Sequence, residues 1–310
     1  MVPGCADVTV SEKERRGAMT EHGQKRKAAC RVLSQQEIAA GIYDLRLENA
    51  FGCDARPGQF VGVFPPGETM LLPRPVSLCD ADASALRMVY RVAGKGTDAL
   101  SRLEEGATVD VLGMLGNGFP LEEAAGKRVL LAGGGIGIPP MLFAAKRLSS
   151  MTGGGAADAS ATLTEEGSAE RHSSSVGGAL SDAPASLTIV CGYRDAETFL
   201  SEELAACGEL LIATDDGSAG VKGTVIDALD ASGVKADVIF ACGPKPMLRA
   251  IAEYGRTCRT FLSLEERMAC GVGVCLGCVC PTRETDSHSR VHNARVCTEG
   301  PVFAAEEVLL

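Results

Sequence analysis

The 310-residue chain contains no tryptophan, and aromatic side chains make up only 4% of it. Exposed aromatic rings are the surfaces on which proteins stack single-stranded bases, so that kind of binding is not expected here. The net charge of −10 also disfavours a phosphate backbone as a ligand, because such ligands are bound through clustered lysine and arginine. We therefore predict no nucleic-acid partner.

Long apolar runs are missing as well. The N-terminal region has the charged stretch 11–16 where a signal peptide would need an apolar core. The longest apolar stretch, 129–145, is interrupted by glycines and by two prolines, and it is too short to cross a bilayer. We predict no membrane partner and a cytoplasmic location.

Cysteine, in contrast, is abundant, with 13 copies. In a cytoplasmic protein this abundance indicates metal ligands and buried thiols rather than disulfides. Cys270, Cys275 and Cys278 have C-x4-C-x2-C spacing, and Cys297 follows after a polar loop. This spacing, closed by a distant fourth cysteine, is that of plant-type 2Fe–2S clusters. We predict that these four cysteines bind a 2Fe–2S cluster.

Zinc is the alternative at this motif. Cys275 and Cys278 could form a C-x2-C knuckle, with Cys297 and either Cys280 or Cys270 completing a tetrahedron. Three glycines lie between the first three cysteines, where they allow positive φ and leave backbone N–H groups free to point at sulfur. Zinc knuckles seldom have such a glycine-rich C-x4-C arm. The cluster is therefore favoured, and Cys280 is predicted to be a non-ligand.

The pattern of elements divides the chain into four parts. Residues 1–26 are polar and predicted to be a disordered extension. Residues 27–124 contain six short strands separated by glycine and proline, which predicts an antiparallel barrel. Residues 125–258 alternate apolar strands with helices, which predicts an α/β domain with a parallel sheet; its segment 149–186 is predicted to be a disordered insertion. Residues 259–310 form a small C-terminal domain around the cysteines.

Two segments of the predicted barrel have groups suited to an anionic ligand. In Arg74-Pro75-Val76-Ser77 the arginine offers a planar fork for a pyrophosphate, and Ser77 offers a hydroxyl beside a planar ring. In 90–97 a strand runs through a glycine loop into a helix N-terminus, where backbone N–H groups bind anions. A surface ion pair and an ordinary turn would explain each segment alone. Together they favour a bound dinucleotide.

A second nucleotide site is predicted at the start of the α/β domain. The apolar strand 129–132 is followed by a glycine-rich turn and a helix, which is the dinucleotide-binding arrangement, although the motif is not G-x-G-x-x-G. A plain strand-to-helix turn remains the alternative. The glycines predicted to contact the nucleotide are Gly133, Gly134, Gly135 and Gly137.

Two later strand ends complete the predicted nucleotide site. Asp215 and Asp216 would repel a 2′-phosphate and could hold ribose hydroxyls, which favours NAD over NADP, although Asp-Asp-Gly is also a good turn. Cys242, Gly243 and Pro244 follow another strand at the edge where open α/β sheets bind ligands. Cys242 would then face the nicotinamide, or else serve as a small buried hydrophobe.

These sites require a third redox group. A nicotinamide accepts a hydride, whereas a 2Fe–2S cluster passes one electron at a time, so a carrier with both chemistries must lie between them. A flavin has both, and the barrel offers a seat for it. We find neither a separate domain for an organic substrate nor a second cluster motif, so the cluster is predicted to face another protein.

The motifs resemble those of a known family. Arg74 to Ser77, Gly94 to Thr97, the glycine turn, Cys242-Gly243-Pro244 and the cysteine run are similar to the electron-transfer subunit of type B dihydroorotate dehydrogenase, in the ferredoxin-reductase superfamily. The resemblance implies a Greek-key barrel with FAD, a Rossmann-like nucleotide domain and a small cluster domain. The residues it implies for FAD are Arg74, Pro75, Val76, Ser77, Val89, Tyr90, Arg91, Gly96 and Thr97.

The resemblance also implies a partner. This partner is an FMN-containing catalytic subunit that oxidises dihydroorotate to orotate in pyrimidine biosynthesis, in a heterotetramer of two copies of each subunit. Electrons would pass from it through the cluster and FAD to NAD. The alternatives are a reductase subunit that serves ferredoxin, a hydrogenase or sulfide chemistry, and a redox-sensing or zinc-binding protein without enzymatic activity.

Overall fold

The computed structural model describes residues 25–52, 55–67, 70–152, 183–285 and 290–310. Most of the predicted N-terminal extension lies outside these ranges, and Arg26 already begins the first strand. Residues 153–182 of the predicted insertion also lie outside them. The ends of that predicted segment are ordered elements instead, because 149–152 continue a helix and Ser186 begins a strand.

The first domain is a closed antiparallel barrel, as predicted, with strand order β1-β2-β5-β4-β3-β6. Its interior is filled by alternate strand residues such as Leu45, Leu78 and Met88, none of which is more than 1% exposed. A six-residue helix, α1 (Lys95–Leu100), connects β5 to β6. The strands are β1 (Arg26–Ala39), β2 (Ile42–Glu48), β3 (Phe60–Val63), β4 (Arg74–Ala81), β5 (Ala85–Arg91) and β6 (Thr108–Leu115).

The second domain is a seven-stranded sheet with the order β10-β9-β8-β7-β11-β12-β15, parallel except for β15. The central strands are continuous apolar runs because both faces of the sheet are covered. The strands are β7 (Arg128–Gly134), β8 (Ser186–Tyr193), β9 (Glu209–Thr214), β10 (Val221–Lys222), β11 (Val238–Cys242), β12 (Arg259–Ser263) and β15 (Val302–Ala304). The helices are α2 (Ile138–Thr152), α3 (Ser201–Ala205), α4 (Val225–Ser232) and α5 (Lys245–Tyr254), with 3-10 turns at Leu121–Ala124 and Gly135–Gly137.

The strands β12 and β15 were not predicted. Both belong to the stretch 259–310 that we assign to the cluster domain, yet they extend the sheet of the nucleotide domain. Among its described residues, the segment between them has one small hairpin of its own, β13 (Val279–Pro281) and β14 (Asn293–Arg295). The cysteine-bearing segment is therefore an excursion from two adjacent strands of the sheet.

Buried contacts fix the barrel against the sheet. Phe143 of α2 is fully buried within the barrel's hydrophobic core. Arg87 of β5 is 8% exposed and pairs with Asp44 of the barrel (2.7 Å) and Glu203 of α3 (2.7 Å). Lys146 of α2 extends this network to Glu203, at 3.0 Å. This charge network has a buried half, Arg87 with Asp44, and a partly exposed half, Glu203 with Lys146, and it connects the two domains.

Candidate redox site

The two predicted anion-binding segments of the barrel come together in space. A Cβ placed on Gly96 would lie 2.1 Å from Arg74 Nε, so the arginine crosses the start of α1 and a larger residue at position 96 would displace it. Thr97 Oγ1 accepts hydrogen bonds from the N–H groups of Ala93 (2.8 Å) and Gly94 (3.2 Å). This fixes the loop against the arginine, and the pair forms a cationic, backbone-lined seat for a diphosphate.

The other residues predicted for FAD differ in what they present. Ser77 is half-buried and Pro75 is exposed. The side chains of Val76, Val89 and Tyr90 are buried in the core, at 7%, 2% and 3% exposure, so these three residues offer backbone groups only. The sequence pattern did not distinguish these two roles.

A cleft of about 620 Å³ lies between the barrel and the carboxyl ends of the parallel strands. Arg91 reaches it from β5, and its Nη2 is 3.7 Å from the position of a Cβ on Gly135. Gly134, Asp215 and Pro244 also line the cleft. Five residues predicted separately for flavin or nicotinamide therefore border one space at the edge where open α/β sheets bind ligands.

Two of the predicted glycines have a packing role. A Cβ on Gly137 would lie 2.3 Å from the carbonyl oxygen of Cys242, and one on Gly133 would lie 3.1 Å from Ile138 Cα. The glycine turn therefore lies directly on the end of β11, and α2 begins close to β7. This approach places Gly134 and Gly135 at the cleft.

The structure separates the remaining nucleotide candidates. Cys242 is 1% exposed, its thiol pKa is raised by burial, and it lies outside the lining of the cleft. Asp215 lines the cleft, whereas Asp216 accepts hydrogen bonds from the N–H (2.9 Å) and hydroxyl (2.6 Å) of Ser218 in its own turn. The two adjacent aspartates therefore have different surroundings.

The sequence analysis missed many residues that line the cleft, among them Tyr193, Arg194, Thr224 and Met247. Tyr193 and Arg194 lie at the carboxyl end of β8, and Thr224 is the N-cap of α4, where its hydroxyl accepts from Asp227 N–H. The rule that ligands bind beyond the carboxyl ends of the strands would have found the first two, because β8 is an apolar run that the sequence shows.

The four predicted cluster cysteines form two pairs. Cys278 and Cys297 are buried, Cys270 is half-buried and Cys275 is exposed. Cys270 interacts with Cys275, and Cys297 with Cys278. Among the described residues, no three His, Cys, Asp or Glu side chains are grouped to share one metal ion. Each iron of a 2Fe–2S cluster takes two protein ligands, so two thiol pairs suit this cluster better than a single zinc ion.

The backbone of the loop is shaped around these thiols. Gly271 and Gly273 have φ of +69° and +87°, a conformation that favours glycine. Burial opposes ionisation of Cys270, but backbone N–H groups, including Val272 N at 3.4 Å from Sγ, outweigh it and lower its pKa to about 6. Burial raises the pKa of Cys297 to about 12. The donor set and the N–H groups around it fit a cluster of thiolate-bound iron.

The loop is held from its C-terminal side. Arg295 Nη2 donates to Glu299 Oε1 (2.7 Å), and Arg295 Nη1 donates to the Gly273 carbonyl (3.3 Å). Asn117, just after β6, donates to the carbonyls of Glu299 (3.1 Å) and Val302 (2.8 Å). The barrel therefore clamps the chain immediately beyond the last cysteine.

Comparison with solved structures defines the class of this protein. A chain of NADH-dependent reduced ferredoxin-NADP oxidoreductase superposes with a TM-score of 0.71 at 29% identity, covering 91% of this chain and 90% of the other. A ferredoxin NADP+ reductase from Neisseria gonorrhoeae, solved with FAD and NADP, has the same fold at 14% identity, with a TM-score of 0.56 and coverage of 73% and 89%. The chain is thus a flavin- and nicotinamide-linked oxidoreductase of the ferredoxin-reductase fold, with a cysteine loop added.

Residues 265–309 match the iron-sulfur cluster binding domain of dihydroorotate dehydrogenase B. The chain is 43% identical over 285 residues to the electron transfer subunit of dihydroorotate dehydrogenase B (NAD(+)) from Bacillus caldolyticus, covering 90% of this chain and 97% of that protein. The corresponding subunit from Listeria monocytogenes serotype 4a is 39% identical, with coverage of 90% and 98%. The chain belongs to the family of dihydroorotate dehydrogenase B electron transfer subunits.

Proposed function

We propose that this chain carries electrons from a catalytic partner subunit that oxidises dihydroorotate, by way of a 2Fe–2S cluster and FAD, to NAD. One observation carries the proposal: the barrel contacts both the cysteine loop and the nucleotide cleft. A Cβ on Gly271 would lie 3.3 Å from Leu115 and 3.7 Å from Leu112, both in β6, whereas Arg91 of β5 lines the cleft. A flavin held by the barrel would therefore be bound on a domain that contacts both other sites.

The order of the sites suits the chemistry of the groups that they would hold. The flavin supplies the conversion between single electrons and a hydride, which neither of its neighbours performs alone. The chain's part is to hold the flavin diphosphate with Arg74 and the loop at Gly96, and to hold the nicotinamide nucleotide between Arg91, Gly135 and Asp215. Cys270, Cys275, Cys278 and Cys297 are the proposed cluster ligands. Cys280 is buried in β13 and has no proposed role as a ligand.

The proposed partner is an FMN-containing catalytic subunit, in a cytoplasmic heterotetramer of two copies of each chain that serves pyrimidine biosynthesis. Exposed leucines and a valine support a docking surface beside the cluster. Leu71 and Leu72 are 81% and 49% exposed, and Val274 and Leu276 are 80% and 61% exposed. Val274 and Leu276 lie in the loop whose Gly271 packs near Leu112, and Leu71 and Leu72 immediately precede Pro73, which packs beside Gly62 of β3. Exposed apolar groups mark interaction surfaces where they lie together.

The exposed apolar residues of this surface do not belong to a membrane-spanning helix. No helix in the described ranges is both long enough and apolar enough to cross a bilayer. The exposed ligand Cys275 lies between Val274 and Leu276, so a protein docked here would approach the cluster directly. The docked partner is accordingly proposed to be the electron donor.

Coexpression with a dihydroorotate-oxidising FMN subunit tests this function. We expect a stable complex that reduces NAD when dihydroorotate is added, and we expect Val274→Asp with Leu276→Asp to abolish complex formation while iron and flavin contents stay unchanged. Leu309→Asp, at a residue 45% exposed near the C-terminus, is the matched control and should leave the complex intact. A chain that binds iron and FAD but forms no complex with any such subunit would contradict the proposal.

A second candidate is a reductase subunit that exchanges electrons with ferredoxin. The observation that favours it is the superposition on NADH-dependent reduced ferredoxin-NADP oxidoreductase over 91% of this chain. The two candidates are separated by the electron donor. The rate of NAD reduction is measured with reduced ferredoxin, and separately with dihydroorotate and the catalytic subunit. A faster rate with reduced ferredoxin would favour this second function.

A further inference from the structure

Thr298, the residue after the last proposed ligand, has a buried hydroxyl without a hydrogen-bond partner. Within the described ranges, its Oγ1 is the one buried side-chain nitrogen or oxygen atom that has no hydrogen-bond partner. Folded proteins rarely leave such a group unpaired, because burial removes its bonds to water and nothing replaces them. An unpaired buried hydroxyl therefore indicates a partner outside the chain itself, which is either a bound group or a water molecule.

The hydroxyl lies inside the loop that holds the four cysteines. A Cβ on Gly273 would lie 3.2 Å from Thr298 Oγ1 and 2.8 Å from its methyl carbon, so the loop passes directly over this side chain. The backbone of Gly273 also hydrogen-bonds to the thiol of Cys297. One glycine thus contacts both the Thr298 side chain and the sulfur of a proposed ligand.

The position of the side chain is fixed by its neighbours. Thr298 N donates to the Arg295 carbonyl (3.1 Å), and Arg295 in turn donates to the Gly273 carbonyl (3.3 Å). A threonine has few side-chain conformations, and its methyl group is packed against Gly273, so the hydroxyl has little freedom to turn toward solvent. It needs an acceptor within the loop.

We propose that the Thr298 hydroxyl donates a hydrogen bond to a sulfur of the 2Fe–2S cluster and raises the cluster's reduction potential. The inference rests on the proposed function, because it requires that the four cysteines bind this cluster. Sulfur is the acceptor that such a site supplies, whether as a cysteine thiolate or as a bridging sulfide. A donor to this sulfur stabilises the reduced form, which has one more negative charge, and hydrogen bonds to sulfur are a known determinant of cluster potentials.

The test compares Thr298→Val, which keeps the shape and removes the donor, with Thr298→Ser, which keeps the donor. Potentiometric titration followed by electron paramagnetic resonance should show a more negative potential for Thr298→Val. The reduction equilibrium should change about threefold to tenfold, which is about 30 to 60 mV at 59 mV per tenfold for one electron. Thr298→Ser should stay near the wild-type value. Thr260→Val is the matched control, since that hydroxyl is buried but bonds to the Gly255 carbonyl (3.3 Å), and it should leave the potential unchanged.

A second measurement detects the hydrogen bond by isotope exchange. In the wild-type protein, iron–sulfur stretching bands in resonance Raman spectra should shift in D₂O, and part of this shift should be lost in Thr298→Val and kept in Thr298→Ser. Full iron content with unchanged potential and unchanged isotope shift in Thr298→Val would overturn the inference and show that the hydroxyl is bonded to water. If Thr298→Val does not bind iron, the wild type and Thr298→Ser are measured instead. The absence of an isotope shift in both of these proteins would then overturn the inference. A wild-type chain without iron overturns the cluster assignment first, which is a distinguishable result.

Discussion

Arg87 of the barrel and Glu203 of the nucleotide domain are joined by two parallel hydrogen bonds of 2.7 and 2.8 Å. The same guanidinium binds Asp44 behind it, at 2.7 Å, and Lys146 approaches Glu203 at 3.0 Å. This paired geometry is the strongest form of charge-assisted hydrogen bond between side chains. The Arg87–Glu203 pair joins the two domains, and the distance between flavin and nicotinamide depends on how these domains are oriented.

Replacing Glu203 with glutamine should destabilise the protein by about 1 to 3 kcal/mol, because Arg87 loses a charged acceptor while its other bonds remain. Thermal unfolding near pH 7 provides the measurement. Arg102→Gln, which breaks the exposed Arg102–Asp98 pair, is the control and should cost no more than about 1 kcal/mol. Equal effects of the two substitutions would contradict a special role for the interdomain pair.

The same pair predicts a pH dependence. Hydrogen bonds from Arg87 lower the pKa of Glu203 to about 2 from its usual 4.5. A carboxylate with a depressed folded-state pKa contributes stability that is complete above about pH 4.5 and is lost as the pH falls toward 2. The difference in unfolding temperature between wild type and Glu203→Gln should therefore be constant from pH 7 to 5 and shrink at pH 3.5. A difference that grows on acidification would refute this assignment.

Cys275→Ser should lose the cluster and all electron exchange with the catalytic partner, because serine replaces one of the four thiolates. Oxidation of NADH by ferricyanide should persist, since this reaction needs only the flavin and the nicotinamide site. Iron analysis and the two activity assays check the prediction. Cys280→Ala provides the control, because that buried thiol is in the β13–β14 hairpin and is not a proposed ligand. Loss of iron in the control as well would reopen the choice of ligands.

Asp215→Asn should raise the use of NADPH relative to NADH, because it removes a negative charge from the cleft where a 2′-phosphate would lie. We expect the ratio of kcat/KM values to change about tenfold, which corresponds to about 1.4 kcal/mol. Asp216→Asn is the matched control, because its carboxylate is bound within its own turn by Ser218 and lies outside the cleft lining. A larger effect at Asp216 than at Asp215 would contradict the placement of the ribose.

Arg74→Ala should weaken FAD retention, because the guanidinium that crosses Gly96 is the proposed contact for the diphosphate. Flavin released on gel filtration should rise, with an affinity loss of about tenfold or more, as expected for a charge-assisted contact. Arg46→Ala, at an exposed arginine of β2, should leave flavin content unchanged. Unaltered flavin retention in Arg74→Ala would remove this residue from the site.

The fold was largely predictable because its signals are local. Glycine and proline separate the barrel strands, and apolar runs mark β7, β8 and β11, which are central in the sheet. The helix α3 (Ser201–Ala205) is short, and Leu200 has a φ of +64° just before it. The three-residue strand β15 has no periodicity to detect, and its pairing with β12 depends on residues about 40 positions earlier in the chain.

The site was predictable only in part, for a similar reason. The cysteines, Arg74 and the glycine turn are recognisable from spacing and residue type alone. The contact of Arg91 with the cleft, the burial of Cys242 and the unpaired hydroxyl of Thr298 depend on how distant segments meet. No local pattern distinguishes Asp215 from Asp216, because only the turn geometry determines which carboxylate bonds to Ser218.

The base of the cysteine-bearing excursion is closed by a hydrogen bond from Leu264 N to the Pro301 carbonyl, at 2.8 Å. The chain leaves the sheet after β12 and returns to it at β15, directly alongside. The intervening residues therefore form an insertion between two strands that are already neighbours in the sheet. Such an arrangement lets the sheet accommodate the cluster-bearing segment without any rearrangement of its central strands.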